Sequence, residues 1–151
     1  MSHFVFGKTS EERLRTMHRD LQLVFRESLK ASEVDFGIAE GHRPVKRQQE
    51  LYAQGRTVPG RIVTHVDGIN KKSKHNKLPS DAGDVYAWVN GKAIWSERYL
   101  TYLGGVITTT AKRLYAEGKI SRPIRWGGNW DRDGNILDDQ RFDDAPHYER
   151  I

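Results

Sequence analysis

The chain has 151 residues, no cysteine, 36% hydrophobic and 30% charged residues, and a formal net charge of +5. These values fit one ordinary domain with a real core, and they exclude disulfides and thiolate metal ligands. No apolar run approaches the roughly 20 residues that span a bilayer, so no transmembrane segment is expected. Glu11, Glu12, Arg13, Arg15 and Arg19 leave no room for a signal-peptide core, which predicts a protein made and first kept in the cytoplasm. A pI of about 9.5 favours polyanionic surroundings: nucleic acid, anionic lipid or an acidic cell wall.

Composition is even along the chain, without repeats or linkers, so residues 1–151 are expected to form a single domain. Leu14, Met17, Leu21, Val24 or Phe25, and Leu29 recur at helical spacing. They predict one helix from Thr9 or Ser10 through Lys30, with a capping box between Thr9 and Glu12. Phe36-Gly37-Ile38-Ala39 reads as a short buried strand. Pro44 suits the first turn of a second helix that ends at Gln54-Gly55. Residues 56–81 read as a long Gly/Pro/Lys-bearing loop, a length that usually signals function or mobility. Asn90-Gly91 between Val85-Tyr86-Ala87-Trp88 and Lys92-Ala93-Ile94-Trp95 is a strong hairpin signal. Ser96 is placed to cap a third helix running to Glu117, stopped by Gly118. Ile124-Arg125-Trp126 and Tyr148-Glu149-Arg150 suggest two further strands. Hairpin strands set apart from helices argue for an α+β domain, with a small antiparallel sheet, flanking helices and a metal site in a cleft.

His75, Asp84 and the segment Asp144-Ala145-Pro146-His147 carry the chemistry. Two imidazoles and a carboxylate can hold a zinc ion on three sides and leave one position for water, whose pKa falls to about 7. Asp84 begins an apolar strand, where a carboxylate is costly unless it is paired or metal-bound. Pro146 forces Ala145 into extended backbone, and that bend lets Asp144 and His147 face one point. Asp144 then stands where a water-activating base is needed.

Here the chain resembles a known family. Ser73-x-His75 followed by Ala82-x-Asp84, and Asp144-x-Pro146-His147, are similar to the two zinc motifs of the D-Ala-D-Ala peptidase and L-alanyl-D-glutamate peptidase family. That family includes many phage endolysins and shares the hedgehog-type zinc fold. Gly41-His42-Arg43, Gln48 and Leu51-Tyr52-Ala53-Gln54-Gly55-Arg56-Thr57 resemble its upstream motif, and Trp126-Gly127-Gly128 has a familiar place before the last one. Eight residues separate His75 from Asp84, a longer loop than is usual in the family. That leaves Asp81 as a rival ligand. Asp84 is preferred because the Ala-x-Asp signature and the following strand belong to it.

The roles follow from side-chain chemistry. His75, Asp84 and His147 are the expected metal ligands, and Asp144 the base that also passes a proton to the leaving amine. Arg43 offers a planar fork for an oxyanion or a substrate carboxylate. Ser73 and Gln48 are candidate substrate hydrogen-bonders, with local turn and capping bonds as the plain alternative. Glu149 is placed to orient His147. His3, His18, His42 and His65 lack such context: His18 falls in a helix on a solvated face, and His65 in the long loop. Trp88, Trp95, Trp126 and Trp130 are expected in the core or the cleft wall. Asp131, Asp133 and Asn135, with Asp138 and Asp139, resemble the start of a calcium loop. Phe142 stands where that loop's last acid belongs, so a polar turn is the alternative reading.

Three functions compete. The resemblance implies a phage-type endolysin, a zinc endopeptidase cutting the L-alanyl-D-glutamate bond of the peptidoglycan peptide stem. It would act as a monomer on the bacterial wall after a separate pore-former releases it from the cytoplasm. D-Alanyl-D-alanine carboxypeptidase activity and a non-catalytic zinc-dependent wall-binding domain are the alternatives. A nucleic-acid-binding module, prompted by Lys71-Lys72-Ser73-Lys74, is disfavoured. No helix carries a basic face with interleaved aromatics, and 20 acids offset 25 bases.

Overall fold

A computed structural model describes residues 4–134 and 144–151. Its elements in chain order are α1 (Lys8–Leu14), α2 (Arg19–Ala31), β1 (Asp35–Glu40), α3 (Val45–Ala53), a single 3-10 turn (Lys74–Asn76), β2 (Ala82–Val89), β3 (Lys92–Ile94), α4 (Glu97–Ala116), β4 (Ile124–Trp126) and β5 (His147–Arg150). The α+β expectation holds. The sheet is antiparallel in the order β1-β2-β5-β4, with β3 paired to the far end of β2.

The first helix departs from the expected single rod. The chain breaks after Leu14 because the Thr16 carbonyl and the His18 amide pair with Ser80 across the molecule, which carries Met17 into the core. His18 is thus no solvated helix-face residue. It is the N-cap of α2, its Nδ1 accepting from the Asp20 amide at 3.0 Å. The Thr9–Glu12 capping box does not form, because the N-cap is Gly7, two residues before Thr9. The nearby Ser10 hydroxyl is used elsewhere: it accepts from the Ile38 amide at 3.0 Å, while Arg13 donates to the Ile38 carbonyl at 2.9 Å. These two contacts cover the outer edge of β1, a row of backbone groups that would otherwise be unpaired. Ser96 occupies the N-cap of α4 but makes no side-chain cap bond.

Strand alternation gives the sheet two different faces. Phe36, Ile38, Val85, Ala87, Trp126 and Tyr148 point to the helices and join Leu21, Val24, Phe25, Leu103, Ile107 and Leu114 in one core. The opposite face of β2 and β5 carries Asp84, Tyr86, Trp88, His147 and Glu149, and there the candidate site lies. The hairpin turn at Asn90-Gly91 uses positive φ at both residues (51° and 74°), the conformation a two-residue turn requires. Beneath the sheet, Arg150 is buried and clamped: it donates to Asp81 at 2.6 Å, Asp20 at 3.3 Å and Ser121 at 3.1 Å. This clamp ties β5 to α2 and to the end of the long loop.

Candidate metal centre

Asp84 and His147 are directly opposite one another on β2 and β5. Their side chains therefore project side by side from the open face of the sheet. His75 arrives from the long loop on the 3-10 turn, whose N-cap, Ser73, accepts from the His75 amide through its hydroxyl and donates its own amide to the Asn76 side-chain oxygen. His75 Nε2 lies 3.2 Å from Asp84 Oδ1 and 3.2 Å from His147 Nδ1, and His147 Nδ1 lies 3.0 Å from Asp84 Oδ1. These are the three residues expected as ligands, and they form a group able to hold a metal ion.

The remaining ring nitrogens show why the group suits a cation. His75 Nδ1 is 2.7 Å from the Gly41 carbonyl, so it is the N–H of the ring and leaves a lone pair on Nε2. His147 Nε2 is 2.9 Å from Glu149 Oε1, which makes Nδ1 the inward lone pair. Two lone pairs and a carboxylate oxygen thus face one point, and three acceptors need positive charge between them. The electrostatics agree. Burial pushes the His147 imidazole down, yet Asp84 and Glu149 outweigh it and carry the group up to about 10. Burial would raise the Asp84 carboxyl, but the two histidines hold it far below the usual carboxylate range. Glu149, whose burial is outweighed by His147 and Arg125, is held down to about 2.

Asp81 does not compete. It accepts from Arg150 and from Lys77 at 3.1 Å, on the other side of β2. Its carboxyl, raised by burial, is lowered more by these two cations. The longer loop therefore places Asp81 in the structural clamp and Asp84 in the site.

Asp144 lines the same cleft as the three ligands, a cavity of about 860 Å³. Its carbonyl accepts from the His147 amide at 3.0 Å, so the Asp144–His147 segment closes as a turn. Trp126 and Gly127 hold that turn. The indole of Trp126 donates to the Ala145 carbonyl at 2.7 Å, and Gly127 exchanges backbone bonds with Asp144 and His147. A Cβ on Gly127 would stand 2.0 Å from the Asp144 carbonyl oxygen, which no side chain tolerates. Burial first, and then the nearby Asp84 charge, raise the Asp144 carboxyl to about 6.

Arg43 is held in place by its neighbours. Its guanidinium donates to Glu40 and, at 2.8 Å, to the Gln48 side-chain oxygen, and it lies 3.7 Å from Asp84 Oδ2. Gln48 is wholly buried and its amide donates to Val66 at 2.7 Å and Thr64 at 3.2 Å. Its polar ends are thus spent on Arg43, Thr64 and Val66, which line the cleft, while Gln48 itself lies behind them. Ser73 lines the cleft while its hydroxyl caps the 3-10 turn. His65 also lines the cleft. Asp131 accepts from the Asp133 amide at 3.2 Å in an exposed turn. Asn135, Asp138, Asp139 and Phe142, the rest of the calcium expectation, lie outside the described residues.

Several contributors were not legible beforehand. Glu40 gives no motif signal, yet it fixes Arg43. Trp130 lines the cleft as expected, but its contacts were not foreseen: its ring is tilted 45° against His147 with centroids 5.3 Å apart, and it lies under Arg125. Trp88 and Trp95, expected in core or cleft wall, are 43% and 52% exposed, although Trp95 borders the cleft.

Fold and site together define a class: an α+β domain with a two-histidine, one-carboxylate metal group on the floor of a cleft and a raised-pKa acid beside it. A family model described as phage L-alanyl-D-glutamate peptidase matches residues 1–151, and the chain belongs to that family. It is 28% identical over 137 residues to the L-alanyl-D-glutamate peptidase of Escherichia phage T5, covering 90% of this chain and 88% of that protein. It is 34% identical over 132 residues to the peptidoglycan L-alanyl-D-glutamate endopeptidase CwlK of Bacillus subtilis (strain 168), covering 78% of this chain and 62% of that longer protein. The crystal structure of the Serratia marcescens L-Ala D-Glu endopeptidase ChiX superposes with a TM-score of 0.73 at 25% identity, covering 99% of this chain and 92% of that one.

Proposed function

We propose that this chain is a zinc endopeptidase that hydrolyses the L-alanyl-D-glutamate bond of the peptidoglycan peptide stem during phage lysis of the host. The observation that carries this reading is the convergence of His75 Nε2, Asp84 Oδ1 and His147 Nδ1 in a cleft that Asp144 also lines. Family membership and the names of the relatives support the choice of bond over D-alanyl-D-alanine.

Zinc suits two nitrogens and one oxygen in a chain without cysteine, and when bound it would polarise the scissile carbonyl and make hydroxide available near pH 7. The chain supplies the rest. Asp144, raised to about 6, is able to take the proton of the attacking water and hand it to the departing D-glutamate nitrogen. The C–N bond breaks, leaving an alanine carboxylate and a free amine. Arg43, fixed by Glu40 and Gln48, holds a positive fork beside the ligands for the developing oxyanion or a substrate carboxylate. Glu149 and the Gly41 carbonyl keep both imidazoles in the tautomer that leaves a lone pair inward. No helix among the described residues is long and apolar enough to cross a membrane.

Elemental analysis of protein purified without added metal, joined to mass spectrometry of digested peptidoglycan, tests the reading. About one zinc per chain and new amino-terminal D-glutamate are expected. Full activity after exhaustive chelation, or cleavage only at D-alanine, would overturn it.

A further inference from the structure

The face of the sheet that presents the metal ligands continues beyond them as an aromatic strip. Asp84, Tyr86 and Trp88 occupy alternate positions on β2, so all three project from one side. Trp88 is paired across the hairpin with Ala93, two residues before Trp95, which brings Trp95 to the same side. Tyr86 and Trp95 have ring centroids 5.8 Å apart, and Tyr86 and Trp88 6.3 Å apart. On β1 the residue opposite Tyr86 is Gly37, and the tyrosine ring lies over it where any Cβ would meet the phenol oxygen at 2.4 Å. The residue opposite Trp88 is Asp35, a half-buried acid.

Two large indoles left in solvent, in contact through a shared tyrosine, are unlike the single scattered apolar residues of an ordinary surface. The strip is also continuous with the cleft. Tyr86, Ala93 and Trp95 line the metal-site cavity, and Tyr86 with Trp88 lines a second cavity of about 370 Å³ together with Lys8, Asp35 and Gly37. Flat rings flanked by charged groups match a pyranose, which has an apolar C–H face and a polar rim.

We propose that the Tyr86–Trp88–Trp95 strip is a saccharide subsite that takes N-acetylated hexosamine rings of the glycan strand next to the bond being cut. The inference rests on the peptidoglycan reading above and adds which part of the polymer this face holds. Substrate chemistry supplies the spacing. In peptidoglycan the alanine nitrogen is acylated by the lactyl ether of muramic acid, so the sugar begins one residue from the scissile carbonyl. One extended residue spans about 3.5 Å, and the lactyl group adds a comparable reach. Moving two residues along β2, from Asp84 to Tyr86, covers about 7 Å. The first ring therefore falls over Tyr86 and Trp95, and the next ring reaches Trp88.

The test compares a disaccharide-linked stem peptide with the same peptide lacking sugar. The wild type is expected to prefer the sugar-bearing substrate in kcat/KM. Trp88→Ala with Trp95→Ala should lower that preference ratio about tenfold. Tyr115→Ala, an exposed aromatic on α4, should leave the ratio alone. An unchanged ratio in the double variant, including equal losses on both substrates, would show that the strip holds peptide or nothing, and would overturn the proposal. Calorimetry with N-acetylglucosamine oligomers gives a second readout that needs no catalysis. Binding by the wild type that the double variant loses supports the subsite, and no binding at millimolar oligomer overturns it. A wild type that cuts neither substrate would defeat the proposed reaction, while the calorimetry would still decide the subsite.

Discussion

Asp81 and Asp84 are three residues apart and carry the same functional group, and their replacement by alanine should fail in opposite ways. Asp81 is 9% exposed and accepts from Arg150, itself 6% exposed. Removing one partner of a buried pair costs roughly 3–5 kcal/mol when the remaining charge is left alone. Arg150 keeps Asp20 and Ser121, so the loss in Asp81→Ala belongs below that range, at about 2–3 kcal/mol. For a domain of this size each kcal/mol lowers Tm by roughly 2–4 °C, giving a fall of roughly 4–12 °C. Metal content should stay near that of the wild type, because Asp81 faces away from the ligands. Asp84→Ala should do the reverse: it deletes one of three ligands, so metal and peptidoglycan cleavage are lost. The assay is a thermal melt in excess chelator, which isolates the fold, with elemental analysis of parallel samples prepared without chelator. Equal metal loss in the two variants, or an unshifted melt for Asp81→Ala, would refute the assignment of one acid to the clamp and the other to the site.

Asp144→Asn should keep its metal and its melting temperature while turnover falls by about 10²–10⁴-fold, measured as amine released from purified peptidoglycan. Glu149→Gln should weaken metal affinity about 10–100-fold, read by competition with a chelating dye, because the glutamate that fixes the His147 tautomer loses its charge. Gly127→Ala should lower Tm markedly and impair cleavage, since its Cβ would displace the Asp144 turn. Acid should weaken the fold through Asp20 and Asp81: burial raises each carboxyl, but Ser121 and Arg150 respectively outweigh it, so both folded values lie below the unfolded ones. Their contribution is full above the unfolded carboxylate range near pH 4 and is lost as pH falls through the lower folded values. Melts from pH 6 to pH 2 should show this loss, and Asp20→Asn should flatten it.

The sequence alone determined the α+β class, the strands, the hairpin and the candidate metal-binding residues His75, Asp84 and His147, because those signals are local. Alternation, a turn dipeptide and short motifs each act over a few residues, and each survived folding with boundaries moved by a residue or a few. The α1–α2 break was not legible: Thr16 and His18 bond to Ser80, far along the chain, and helical periodicity continues across the gap. Nor could local reading say that Gln48 spends itself on Arg43, that Glu40 holds that arginine, or that Trp88 and Trp95 stand in solvent. The choice of Asp84 over Asp81 rested on a motif until β2 showed the reason. Strand alternation sends Asp84 to the face where His147 lies opposite, while the buried guanidinium of Arg150 claims Asp81 on the other side. Which residue types could bind a metal is a property of side chains and is written in the sequence. Which of them share a point in space depends on cross-strand register and on charges buried from distant segments, and only the tertiary structure decides that.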